Sequence, residues 1–319
     1  MKIVVVDANL VQHRERLEAL VPPGSDIRWH VGGAPLHELS DAEVFVGSRF
    51  DAEMARAAIK LRLVHVVGAG TDKIDFAALA PDIQVANTFH HERSIAEYVV
   101  SAAVMLRRGF LTQDRLLRDD VWATPVYDSS IPQPPILGDA HIGFVGFGHI
   151  GLRSWNLLRA FGCTGAAVTG SGRAVEAGLR WTGDAGDLDR LLRECDVAVV
   201  SAPLNEHTRG MIGAEQLRAL GPASVLINVG RGPLVQERAL YDALSGGIVQ
   251  GAAIDVWYRY PSDGDCAPSE LPFAELPNLL MTPHSSGVTS DTFTGRVDDV
   301  AANISRLQRG EPLRNVVTR

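Results

Sequence analysis

Short apolar runs alternate with stretches of helical spacing along nearly the whole chain. Strand-length runs lie at Lys2–Val6, Glu43–Gly47, Leu63–Val67 and Gln84–Ala86, with helical stretches between them. A helical pattern at Ser94–Arg107 leads into an irregular segment, Asp119–Leu137, rich in Pro and polar residues. A second block starts at His141, with strand candidates at Ile142–Val145, Gly165–Thr169, Val197–Ala202, Ser224–Val229, Gly251–Val256 and Leu279–Thr282. This alternation predicts an α/β fold of parallel sheets covered on both faces. The last helical pattern, Thr289–Arg309, has too few strands after it to form a domain. It is expected to return to the first block, giving a discontinuous domain of 1–95 and 286–319 around a second domain of 96–285. Two such lobes would leave a cleft in which ligands bind.

The run at Ile142–Val145 ends in Gly146-Phe147-Gly148-His149-Ile150-Gly151, and a helical pattern follows at once. A strand, a glycine-rich turn and a helix in succession form a dinucleotide pyrophosphate site. The first Gly permits a tight turn, the second a close approach of phosphate, the third close packing of helix on strand. Ile150, Leu157, Leu158 and Phe161, with Ser154 between, are predicted to form the inward helical face, and Gly162 to stop the helix. The fold class is therefore two Rossmann-like or flavodoxin-like domains with doubly wound sheets, of which 96–285 binds the dinucleotide.

Composition narrows the reading. The 319-residue chain is 46% hydrophobic and 21% charged, ordinary for a soluble protein with room for two domains. A net charge of −8 argues against nucleic acid or an anionic membrane as partner. Met1–Asp7 reads as a first strand rather than a signal peptide, and no apolar run has the length of a membrane span. Cys163, Cys195 and Cys266 are few, odd in number and widely spaced, which fits reduced thiols in a cytoplasm. His90-His91-Glu92 invites a metal reading, but adjacent histidines seldom chelate one ion and no further ligand is evident, so no metal is expected.

Seven motifs, in this order and spacing, resemble the D-isomer-specific 2-hydroxyacid dehydrogenase family almost end to end. They are Gly68–Asp75, Ser94–Glu97, the glycine turn, Ser201–Asn205, Asn228–Gly232, Gly251–Val256 and Thr282–Gly287. The resemblance implies a nicotinamide-dependent oxidoreductase acting on a small 2-oxo or (R)-2-hydroxy acid, of the glyoxylate or hydroxypyruvate reductase kind. It implies that Arg231 grips the substrate carboxylate and polarises the neighbouring carbonyl. It makes His284, in Thr-Pro-His, the acid/base. The main-chain amides of Ala69 and Gly70 resemble the loop that receives the carboxylate, and Phe50 falls where the family places a substrate-contacting loop. Gly146, Gly148, His149, Ile150, Gly151, Ala202, Pro203, Thr208, Val229, Asp255, His284 and Ser286 match cofactor-contacting positions. Asp255 also admits a helix-capping or structural role. A dimerisation arm at about 107–138 implies a homodimer.

Two departures stand out. The family's Asp-Val-Phe-x-x-Glu-Pro carries a glutamate that hydrogen-bonds the catalytic histidine, whereas this chain reads Asp255-Val256-Trp257-Tyr258-Arg259-Tyr260-Pro261. Tyr260 is expected to orient His284 and to raise its pKa less than a carboxylate would. Glu92, Asp263, Asp265 and Glu270 are the alternative carboxylates. Formate dehydrogenases of the same superfamily replace this glutamate with glutamine, so a formate-, phosphite- or phosphonate-type substrate stays open. A dinucleotide-sensing homologue without enzyme activity is the more distant alternative. At the second departure, Thr169, Ser171 and Arg173 stand where NAD-preferring members place an acid on the adenine ribose. Two hydroxyls and a guanidinium favour a 2′-phosphate, and NADP is expected over NAD.

Overall fold

The computed structural model describes residues 1–174, 178–261 and 264–318. The chain divides into two units, Met1–His91 with Val288–Arg319, and Glu92–Gly287.

In the first unit β1 (Lys2–Val5), β2 (Asp26–Trp29), β3 (Val44–Val46), β4 (Leu63–His65) and β5 (Gln84–Ala86) form a parallel sheet in the order β2-β1-β3-β4-β5. The central strands β3 and β4 are buried on both faces; β3 is apolar throughout, and β4 is apolar but for His65. Edge strand β2 escapes a hydrophobic pattern because Asp26 and Arg28 face solvent. The helix Ser290–Arg309 belongs to this unit, where Val297, Val300 and Ile304 share a core with Ile3, Val5 and Leu17. Thr289 caps its start, and Gly310, with φ of 68°, ends it.

In the second unit β6 (His141–Val145), β7 (Thr164–Val168), β8 (Thr182–Gly183), β9 (Val197–Val200), β10 (Val225–Asn228), β11 (Gly251–Ile254) and β12 (Leu279–Met281) form a parallel sheet in the order β12-β11-β10-β9-β6-β7-β8. The strand order reverses at β6, which has β7 on one side and β9 on the other. Such a switch point is where ligands bind at the carboxyl ends of strands. The registers align Gly183, Val168, Val145, Val200, Asn228, Ile254 and Met281 in one row. Every turn that follows these residues therefore leaves from the same edge.

The helix His149–Leu158 turns a different face inward than its pattern predicts. Gly151, Ser154, Trp155 and Leu158 are buried, whereas Leu157 and Phe161 are 37% and 55% exposed. Gly151 decides this, because a Cβ there would meet the Gly146 carbonyl at 3.0 Å. The glycine face lies on the strand, and Trp155 fills the space left opposite Gly165, where a Cβ would approach the indole to 2.9 Å. Gly162, with φ of 100°, ends the following single turn.

Candidate active site

The turn after β6 is shaped by backbone, not by side chains. Gly146 has φ of 89°, and a Cβ on it would lie 2.6 Å from the Ala202 nitrogen. Only glycine lets the β6 and β9 turns pass so closely. At Gly148 an added Cβ would meet nothing within 4 Å. That glycine is also the N-cap of the His149–Leu158 helix and supplies no side-chain cap. Open ground before the amides of a ten-residue helix is a cradle for pyrophosphate. One strand over, Thr169 follows β7 and its hydroxyl donates to the Arg173 carbonyl at 3.1 Å. The Ser171 hydroxyl accepts the Arg173 amide at 3.4 Å, and both Ser171 and Arg173 are exposed.

Arg231 follows β10 on a turn tied by Asn228. The buried Asn228 side chain donates to the Arg231 carbonyl at 3.0 Å and accepts the Gly230 amide at 3.1 Å. The guanidinium donates to the Gly230 carbonyl at 2.9 Å, which sets its exit from the turn. A Cβ on Gly232 would come within 2.3 Å of the Trp257 carbonyl, so the β11 loop is pressed against this turn.

His284 follows β12 with φ of 57°, a left-handed conformation uncommon outside glycine. Asp255, after β11, holds that turn. Its carboxylate, 1% exposed, accepts the Thr282 hydroxyl at 2.7 Å, the Ser285 amide at 2.8 Å, the Ser286 amide at 3.2 Å and the Ser286 hydroxyl. The Trp257 indole donates to the Thr282 carbonyl at 2.8 Å. The Tyr260 ring stands 5.6 Å from the His284 ring, tilted by 54°, and its hydroxyl accepts the Trp257 amide at 3.0 Å.

In the first unit, Gly68–Thr71 follow β4. Asn87 donates its side-chain N–H to the Ala69 carbonyl at 2.9 Å, and the Thr88 amide donates to the Gly68 carbonyl at 3.2 Å. With these carbonyls pinned, the Ala69 and Gly70 amides make no hydrogen bond among the described residues.

Residues 100–286 match the family described as D-isomer specific 2-hydroxyacid dehydrogenase, NAD binding domain. The chain is 30% identical over 272 residues to a glyoxylate reductase of Korarchaeum cryptofilum, covering 84% of this chain and 79% of that one. The chain belongs to the D-isomer specific 2-hydroxyacid dehydrogenase family. It is an oxidoreductase that passes a hydride between a nicotinamide cofactor and a small 2-oxo or 2-hydroxy acid. It is also 30% identical over 299 residues to a mitochondrial formate dehydrogenase of Oryza sativa, covering 88% of this chain and 75% of that one. Among solved structures, it superposes with a TM-score of 0.81 on an NADPH-dependent glyoxylate/hydroxypyruvate reductase from Sinorhizobium meliloti in complex with NADP and sulfate. The identity is 26%, over 99% of this chain and 98% of that one. No helix among the described residues is long and apolar enough to cross a membrane.

Within this dehydrogenase the sequence-derived positions divide by place. The glycine turn, Thr169, Ala202, Arg231, Asp255 and His284 all follow the aligned row of the second sheet. Phe50 is a correction: its side chain is fully buried, edge-on to Phe45 at 4.9 Å, inside the first unit's core. Its own bridge to Ile74 draws it inward, which leaves only its backbone for a ligand. Val229 is likewise buried among core residues, leaving only its backbone for a ligand. The Thr208 hydroxyl closes its own loop onto the Pro203 carbonyl at 2.7 Å, and the Ser286 hydroxyl is held by Asp255.

Of the alternative carboxylates, Glu270 pairs with Arg259 at 3.4 Å, Asp265 is exposed, and one Glu92 oxygen is buried without a hydrogen bond. Asp263 lies outside the described residues. In the His90-His91-Glu92 segment, His90 pairs with Asp299 at 2.8 Å. The sequence reading missed Asn87, Trp257 and Tyr98, whose roles depend on partners far along the chain. Asn228 lay inside a quoted motif without a role, although an amide at a strand end before a glycine is the signal of such a tie.

Proposed function

We propose that this dehydrogenase reduces a small 2-oxo acid of the glyoxylate or hydroxypyruvate kind to its (R)-2-hydroxy acid, with NADPH preferred over NADH. The observation that carries the reading is the row at the edge of the second sheet. Thr169 and the glycine turn lie at one end, with Arg231, Asp255 and His284 toward the other. From β6 to β12 is four strand spacings, about 19 Å, the scale of a dinucleotide laid along the edge.

When bound, the nicotinamide exchanges the hydride with the carbonyl carbon. Arg231 offers two parallel N–H donors to the substrate carboxylate and lowers the electron density on the adjacent carbonyl oxygen. His284 gives a proton to that oxygen in reduction and takes it back in oxidation. The unengaged Ala69 and Gly70 amides are proposed donors to the carboxylate. Thr169, Ser171 and Arg173 carry no negative charge, which favours a ribose 2′-phosphate. The arm at about 107–138 is proposed to pair two copies, since it exposes the large apolar side chains of Trp122, Val126 and Tyr127.

The test is a panel of 2-oxo acids assayed with NADPH and NADH, in wild type, Arg231→Ala and His284→Ala. Turnover of glyoxylate or hydroxypyruvate with NADPH, lost in both variants, is the expected result. Turnover confined to formate, phosphite or a phosphonate acid would replace the substrate reading, a reading that the absent glutamate and the formate dehydrogenase relative support. A strong NADH preference would end the NADP assignment.

A further inference from the structure

Thr282 and Ser285 flank Pro283 and His284, and both bond to the same oxygen, Asp255 Oδ1, at 2.7 and 2.8 Å. The left-handed residue His284 is bracketed by one carboxylate. The bracket depends on where the single Thr282 hydroxyl proton goes. That hydroxyl also lies 3.0 Å from the Tyr98 hydroxyl, on the helix Glu92–Arg107. Asp255 as a carboxylate has only acceptors, so the Thr282 proton points to it. Tyr98 must therefore donate to the Thr282 oxygen. The order is Tyr98 O–H to Thr282, and Thr282 O–H to Asp255.

The other polar groups of Thr282 are engaged too. Its amide donates to the Ile254 carbonyl at 3.1 Å, and its carbonyl accepts the Trp257 indole at 2.8 Å. Tyr98 is thus the outermost donor of a chain that fixes the residue two before His284. Burial pushes the Tyr98 phenol up to about 12, against a lowering by the Thr282 contact and with a smaller rise from the Asp255 charge. The phenol keeps its proton throughout the neutral range.

We propose that Tyr98 is a positioning residue for hydride transfer, acting through Thr282 and Asp255 to hold the His284 turn. The proposal rests on the reading of His284 as the acid/base. Left-handed backbone at a non-glycine residue is strained and persists only where its surroundings over-determine it. Loss of one donor in the chain lets the turn drift while the protein stays folded.

Tyr98→Phe keeps the ring and removes the donor. We expect kcat for oxo-acid reduction to fall about tenfold, as for a small misplacement of a reacting group. NADPH affinity, read by nucleotide fluorescence, should stay within about twofold of wild type. Thr282→Val should lose at least as much, Tyr98→Phe with Thr282→Val no more than Thr282→Val alone, and Thr282→Ser should keep most of the activity. Wild-type kcat in Tyr98→Phe, multiplicative losses in the double variant, or a parallel loss of NADPH affinity would each overturn the proposal. A His284→Ala arm separates the two readings. If that variant is inactive and Tyr98→Phe is not impaired, only the Tyr98 role falls. If His284→Ala turns over normally, the acid/base reading fails and the Tyr98 role fails with it.

Discussion

The Asn228 side chain closes the turn of Arg231, donating to its carbonyl at 3.0 Å while accepting the Gly230 amide at 3.1 Å. Asn228→Ala leaves both groups without their partner in a buried place, at a cost of about 1–3 kcal/mol. The guanidinium leaves from the same turn, so kcat/KM should fall by about tenfold or more as well. Denaturant melts and steady-state kinetics check both effects. Loss of stability with unchanged kcat/KM would show that the tie does not aim Arg231.

The first two glycines of the turn should behave differently. Gly146→Ala meets the Ala202 backbone at 2.6 Å and is strained by its φ of 89°. It is expected to cost about 2 kcal/mol or more of stability, in line with overpacking and positive-φ penalties. Gly148→Ala meets nothing in the protein and should melt like wild type. Its methyl nevertheless stands where pyrophosphate would approach, so NADPH affinity should drop about tenfold, or about 1.4 kcal/mol. Unchanged affinity in Gly148→Ala would move the phosphate site elsewhere.

Cofactor choice is read at the end of β7. Thr169→Asp places a carboxylate where it repels a 2′-phosphate and can accept from a free ribose hydroxyl. The ratio of kcat/KM for NADPH over NADH should fall at least about tenfold. No change in that ratio would remove Thr169 from the ribose site.

Tyr260 stands beside His284 with a neutral phenol where the family has a glutamate. A carboxylate there favours imidazolium, so Tyr260→Glu should raise the pKa seen in kcat/KM for reduction. A profile that stays in place would show that Tyr260 does not face the titrating group.

Acid stability has a separate origin, in the first unit. Asn303 pairs with Arg314, its carbonyl accepting the Arg314 amide at 2.8 Å and its N–H donating to the Arg314 carbonyl at 3.0 Å. This fixes the amide so that its N–H also points at His65 Nε2, 2.9 Å away. His65 must accept there, so it is neutral, and burial lowers its pKa from 6.5 to about 4. A folded pKa below the unfolded one gives stability that is complete above 6.5 and is lost as pH falls toward 4. The loss approaches about 3 kcal/mol, and His65→Gln, which keeps an acceptor, should lack it. Unfolding free energies at pH 7.5 and 4.5 for both proteins decide the point.

The element pattern was legible because the buried strands are mostly apolar runs, broken only at residues such as His65 and Asn228, and the Gly146 turn has a local backbone cause. The edge strand β2, with Asp26 and Arg28 outward, lacked that signal. In the site, the glycine turn, Arg231 and His284 were visible as motifs. What holds them was not: Thr282 and Tyr98 are 184 residues apart, and Asp255 reaches Ser285 and Ser286 across 30 and 31 residues.

Local pattern thus determined the strands of both sheets apart from β2 and β8, the glycine turn and the family to which the chain belongs, since each rests on neighbours in sequence. Tertiary packing decided which way the side chains face. It buried the Phe50 side chain in the first unit's core, and it rotated the His149–Leu158 helix onto its glycine face. It also paired His65 with Asn303, 238 residues away. Side-chain direction depends on what lies opposite, and no periodicity records what lies opposite.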